Sequence, residues 1–128
     1  MYNSIQHFNE SGIKKNEKAI ETFIVEKKDI ADLVLELQKN FYELGRNILT
    51  EVLEEMDEFI FESKARKKRY EAVRKDDENS LLTSFGTIAY NRRYYKSKKN
   101  GEYKHLVDEC VGIQPHDRVS ADVVINAL

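Results

Sequence analysis

Apolar residues fall at Ile20, Phe23, Ile24, Ile30, Leu33, Val34, Leu37, Phe41, Leu44, Ile48, Val52, Met56, Phe59 and Ile60, mostly in steps of three and four. Such steps line apolar side chains along one stripe of an α-helix, which predicts a long helical region over 17–75. Asp29 stands where it would cap a second helix, with Asp32 three residues on, so a break near Lys27–Asp29 is left open. A single helix over Ile30–Arg69 would be about 60 Å long. One small sheet cannot cover so long a stripe; it calls for an antiparallel helical hairpin, a second copy of the chain, or another domain. The steps 37, 41, 44, 48 fit a heptad seam, whereas 48, 52, 56, 60 run in fours and leave it, which disfavours a regular two-stranded coiled coil. Residues 1–16 are polar and without period, and are read as a mobile arm.

Beyond the acidic run Asp76–Ser80 the pattern changes. Residues 80–108 read as an antiparallel β-ribbon, with a short strand Leu81–Phe85, a tight turn or bulge at Gly86, and a hairpin closed by Asn100-Gly101. A two-residue turn there would oppose Lys99 to Glu102, Lys96 to His105 and Tyr94 to Val107. Alternation puts Ile88, Tyr90, Arg92, Tyr94 and Lys96 on one face and Ala89, Asn91, Arg93, Tyr95 and Ser97 on the other. Neither face is cleanly apolar, so the ribbon is expected to be half exposed on both sides. Residues 109–128 read as a turn and, from a Ser120 cap, the start of a further helix. The fold class is therefore α+β. The final helix stops on apolar residues, which suggests a fragment whose downstream domain is absent.

Charge sharpens this picture. Residues 1–62 carry 7 Lys/Arg against 14 Asp/Glu, residues 63–104 carry 13 against 5, and residues 105–128 carry 1 against 4. A net charge of −2 thus conceals a basic block between acidic flanks. The block has two clusters: Lys64, Arg66, Lys67, Lys68 and Arg69 at a helix end, and Arg92, Arg93, Lys96, Lys98 and Lys99 on the ribbon, interleaved with Tyr94 and Tyr95. Cations that follow a phosphate backbone, with rings able to stack on bases or sugars, make these twelve residues the candidate DNA-binding set. The plainer reading is a solvated charged face, with the two rings holding the ribbon onto the helix.

Other chemistry is thin. The five glycines form neither a phosphate loop nor a dinucleotide fingerprint. His105, Cys110 and His116 match no zinc spacing. Glu54, Glu55, Asp57 and Glu58 sit on the polar faces of a helix rather than converging from separate elements as two-metal hydrolysis requires. No catalytic residue, metal ligand or cofactor site emerges from this chain. No apolar run approaches the roughly 18 residues that cross a bilayer, and the N-terminus lacks a signal peptide's apolar core. A lone Cys110 suits a reducing compartment, so the expected location is cytoplasmic.

The ordered series Glu51-Val-Leu-Glu-Glu-Met-Asp-Glu, Arg66-Lys-Lys-Arg-Tyr, Leu81-Leu-Thr-Ser-Phe-Gly-Thr-Ile, Arg93-Tyr-Tyr, Gly101-Glu-Tyr, Asp108-Glu-Cys-Val-Gly-Ile and Arg118-Val-Ser resembles the N-terminal region of ISLre-type insertion-sequence transposases. These were long catalogued as an uncharacterised protein family. The resemblance covers roughly residues 30–125. It implies a full-length enzyme of DNA transposition with an RNase-H-like core, three acids and Mg²⁺, all beyond Leu128, so no catalytic residue carries over. What carries over is a non-catalytic segment that binds double-stranded DNA at transposon ends, assembles subunits through the helical stripe, or both. A pure oligomerisation module and a degenerate transposase remnant are the rival readings.

Overall fold

The computed structural model describes residues 2–27, 29–120 and 122–123. Its elements are α1 (Asn3–His7), a π-helical turn (Phe8–Gly12), α2 (Ile13–Glu26), α3 (Ile30–Glu62), α4 (Lys64–Arg69), β1 (Tyr70–Thr83), β2 (Gly86–Ser97), β3 (Tyr103–Lys104) and α5 (Leu106–Cys110). This is the expected α+β class. Residues 1–49 and 50–128 form two compact units.

The first unit is an antiparallel helical hairpin. α2 ends where Lys27 takes a left-handed backbone (φ 52°), and Asp29 opens α3 by accepting the Ala31 N–H at 3.1 Å. The arms are joined by Asn40 Nδ2 donating to Asn16 Oδ1 at 2.8 Å, by Lys15–Glu43 at 3.5 Å, and by the Phe8 and Phe41 rings at 5.7 Å. Residues 3–16, expected as an arm, are helical. The π-turn explains the missed period: it inserts one residue between Phe8 and Ile13, so the apolar positions step by five there. Gly12 is required at its end, because a Cβ would lie 2.3 Å from the Phe8 ring.

The second unit builds a three-stranded antiparallel sheet, order β1-β2-β3, against the last turns of α3. Ser63 separates α3 from α4, its Oγ accepting the Arg66 N–H at 3.2 Å. Tyr70–Lys75, expected as the tail of the helical region, and Asp76–Ser80, expected as a break, are both strand. β1 pairs with β2 from Tyr70↔Ser97 to Thr83↔Gly86, with register shifts between Ala72 and Arg74 and between Arg74 and Asp77. A tight turn is present, but at Ser84–Phe85, which were expected as strand; Gly86, expected to mark the turn, opens β2 at φ 112°.

The second hairpin differs from expectation. Its pairs are Tyr95↔Lys104 and Lys96↔Tyr103, not Lys96 opposite His105. Asn100 does not adopt positive φ; only Gly101 does, at 74°. A type I′ turn is therefore not formed. Instead Ser97 N–H bonds Glu102 O at 2.7 Å, and the Asn100 side chain accepts the Glu102 N–H at 3.0 Å, widening the loop. Leu106–Asp108, expected as strand, open α5, whose Val107 is fully buried. The helix expected from Ser120 lies, apart from residues 122–123, outside the described residues.

Candidate nucleic-acid interface

β2 has hydrogen-bonding groups on two edges. The edge away from β1 meets β3 only at Tyr95 and Lys96, so the backbone groups of Ala89, Asn91 and Arg93 need other partners. α3 supplies them from one face, at spacings of four and three: Thr50 Oγ1 donates to Ala89 O at 3.4 Å, Glu54 Oε2 accepts the Asn91 N–H at 2.7 Å, and Asp57 Oδ1 accepts the Arg93 N–H at 3.0 Å. Of the four acids set aside as catalysts in the sequence, Glu54 and Asp57 are acceptors for a strand.

The ribbon is not half exposed throughout. It is buried on one face at its start, at Ile88 and Tyr90, and on the other at its end, at Arg93, Tyr95 and Ser97. The Arg93 guanidinium bonds Asp57 Oδ2 at 2.9 Å and Glu58 Oε2 at 2.7 Å, and lies 4.1 Å from the centre of the Phe61 ring. Arg93 holds the Glu58 carboxyl below its ordinary pKa, by hydrogen bonding and by its charge. On the opposite face Arg92 pairs with the buried carboxylate of Asp108, which also accepts the Tyr90 hydroxyl at 2.6 Å. His105 Nε2 lies 2.5 Å from Asp77 Oδ2, and this hydrogen bond lowers the Asp77 pKa.

These contacts sort the twelve candidates. Arg92 and Arg93 are engaged inside the unit, and Arg66 bonds the Phe61 carbonyl oxygen. Tyr95 is fully buried, and burial pushes its hydroxyl up to about 12. Tyr94 is half-buried, stacked on Tyr103 at 5.3 Å and against His105 at 4.6 Å. Lys64, Lys67, Lys68, Arg69, Lys96, Lys98 and Lys99 remain exposed. The structure brings α4 and the β2–β3 loop together: Lys98 N–H bonds Arg69 O at 2.9 Å and its Nζ bonds Lys67 O at 2.7 Å. A rim of cations results at this junction.

The Tyr95 hydroxyl is buried without a hydrogen-bond partner among the described residues. Tyr95→Phe removes an unsatisfied polar group while keeping the ring, so the urea midpoint should stay within error or rise. A fall beyond about 1 kcal/mol would mean that the hydroxyl has a partner in solution.

Among the described residues no three His, Cys, Asp or Glu side chains group as a metal site would need, and no helix is long and apolar enough to cross a membrane. His105 is held by Asp77, and Cys110 is exposed.

No solved structure matches the chain. Its sequence is similar to curated proteins of Caldanaerobacter subterraneus subsp. tengcongensis. UPF0236 protein TTE2489 is 40% identical over 97 residues, which is 76% of this chain and 21% of that protein. UPF0236 protein TTE0610/TTE0881/TTE1053/TTE2432 matches to the same extent. A third, whose name joins eleven such labels from TTE0033 to TTE2212, is 38% identical over 97 residues. The chain thus spans about a fifth of the length of these relatives. The model of an uncharacterised protein family, UPF0236, matches residues 24–128, and the chain belongs to that family.

Proposed function

We propose that this chain is the N-terminal, non-catalytic segment of an ISLre-type insertion-sequence transposase, and that it grips double-stranded DNA at transposon ends through the cation rim of α4 and the β2–β3 loop. The observation that carries the mobile-element reading is copy number: a relative whose single name joins eleven labels in one bacterium is what replicative spread of one gene leaves behind. The rim supplies the means. Lys67, Lys68, Arg69, Lys96, Lys98 and Lys99 are exposed, lie on α4, on the end of β2 and on the loop after it, and carry the positive charge that phosphates seek. Arg92 and Arg93 drop out of the DNA-facing set because their partners are internal, and Tyr95 because it is buried. Metal-dependent cleavage belongs, on this reading, to acids downstream of Leu128.

The test is fluorescence anisotropy with duplexes carrying the element's ends and with scrambled duplexes, over about 50–300 mM salt. About six phosphate contacts predict a log–log slope near −5. Reversing Lys68 and Lys99 to glutamate should flatten that slope by about two and weaken binding on the order of 100-fold, with folding unchanged. Absence of binding by the unaltered chain at the lowest salt would sink the DNA role and leave subunit assembly as the better account.

A further inference from the structure

The helical hairpin of residues 3–49 is amphipathic as a layer. Asn16 and Phe23 of α2 face Leu33 and Asn40 of α3 across the joint. Relative to that joint, Ile13, Ile20 and Ile24 on α2, and Ile30, Val34 and Phe41 on α3, are displaced in the same rotational sense. In an antiparallel pair such positions emerge on one side of the layer. The opposite side is a groove of about 510 Å³ in which charged side chains, among them Lys15, Lys18, Glu36 and Lys39, stand beside Phe23, Leu33 and Leu35. The groove mixes charged and apolar groups, whereas the other side is built from apolar side chains in a row. Its six residues are 40–66% exposed, Ile24 and Ile30 most of all.

We infer that this apolar side is the docking surface for a second copy of the chain, two hairpins closing face to face into a four-helix layer pair. Area is the first argument. The six side chains expose about 600 Å² together, at the upper limit for a monomer's largest patch, and two such faces would bury about 1,200 Å², the lower bound for a specific interface. Charge is the second. Glu17 and Glu21, with Lys14 on the same line, border the face on α2, whereas Ala31 and Gln38 border it on α3. A two-fold axis parallel to the helices sets each α2 over its partner's α3, so the charged border meets an uncharged one and like charges are kept apart. An apolar, self-complementary face of this kind fits another copy of itself. The inference goes beyond the proposed DNA role and is read out without DNA.

The experiment is light scattering coupled to size exclusion on the 128-residue chain, over about 1–200 μM, a range set to span micromolar association. The expected result is a mass of twice 15.0 kDa, falling to one copy on dilution. Val34→Glu and Ile24→Glu, at positions already in contact with water in the single copy, should each weaken self-association on the order of 100-fold with helicity by circular dichroism unchanged. Lys18→Glu and Lys39→Glu, on the groove, should leave the mass unaltered. A single-copy mass for the unaltered chain at every concentration overturns the inference, as does an open series of larger masses, which means a face that does not close. Loss of the dimer by the groove variants alone overturns the assignment of the face. A single-copy chain that still binds end duplexes with a steep salt slope defeats this inference while leaving the DNA reading standing.

Discussion

Arg93→Ala is expected to lower the stability of the 50–128 unit by about 3–5 kcal/mol, the range found when one member of a buried ion pair is removed. The Arg93 side chain is 11% exposed and Asp57 only 7%, so the deletion leaves a carboxylate out of water without its cation. It also uncovers the Phe61 ring, on which both Arg93 and Arg66 stack. The loss is comparable with the whole stability of a marginal domain, so urea titration should show the sheet unfolding at a far lower midpoint. Arg93→Lys should not restore it, because an ammonium lacks the planar fork that reaches Asp57 and Glu58 together. If Arg93→Ala and Arg93→Lys both keep the midpoint while abolishing DNA binding, the arginine faces phosphate and the internal placement is wrong.

The second large effect is expected at Asp108. Its carboxylate is 6% exposed and receives both the Arg92 guanidinium and the Tyr90 hydroxyl. Asp108→Ala strands two buried donors at once, one of them charged, and should cost about 3 kcal/mol or more. Asp108→Asn keeps an acceptor for Tyr90 but gives up the charge opposite Arg92, so it should fall between alanine and the parent. The informative companion is Arg92→Met together with Asp108→Asn. Removing both charges should recover part of the loss, since the penalty of a lone buried charge then disappears. Equal midpoints for Asp108→Ala and the parent would show the pair to be solvated.

These two arginines also mark how far the sequence could be read. The helical stripe from Ile20 to Ile60 and the turn at Gly86 were legible, because a helical period and a glycine turn are local signals. Arg92 and Arg93 look like free cations in sequence because their acids, Asp108, Asp57 and Glu58, lie 16–36 positions away and no local pattern announces them. Tyr70–Ser80 hid as a strand for a related reason. Its charged, largely exposed residues lack the alternation of a half-buried strand, and two register shifts break the period. At Asn100-Gly101 the local rule failed because the Ser97 and Asn100 side chains satisfy the loop's N–H groups without a type I′ turn. What could have pointed to the acids of α3 is their spacing with Thr50, which puts Thr50, Glu54 and Asp57 on one face.

That face has a consequence for how the protein behaves in a crowd of its own copies. A strand with a bare row of N–H and C=O groups is a template onto which another chain can add, and here the short β3 leaves much of β2 uncovered in addition to the outer row of β1. On β2 the row is filled by a hydroxyl and two carboxylates from α3, groups that bond backbone yet cannot propagate a ladder. On β1 the row bends twice out of register and carries Glu71, Lys75, Asp76 and Glu78. The uncovered stretch of β2 and the outer row of β1 are thus blunted against amyloid-like stacking.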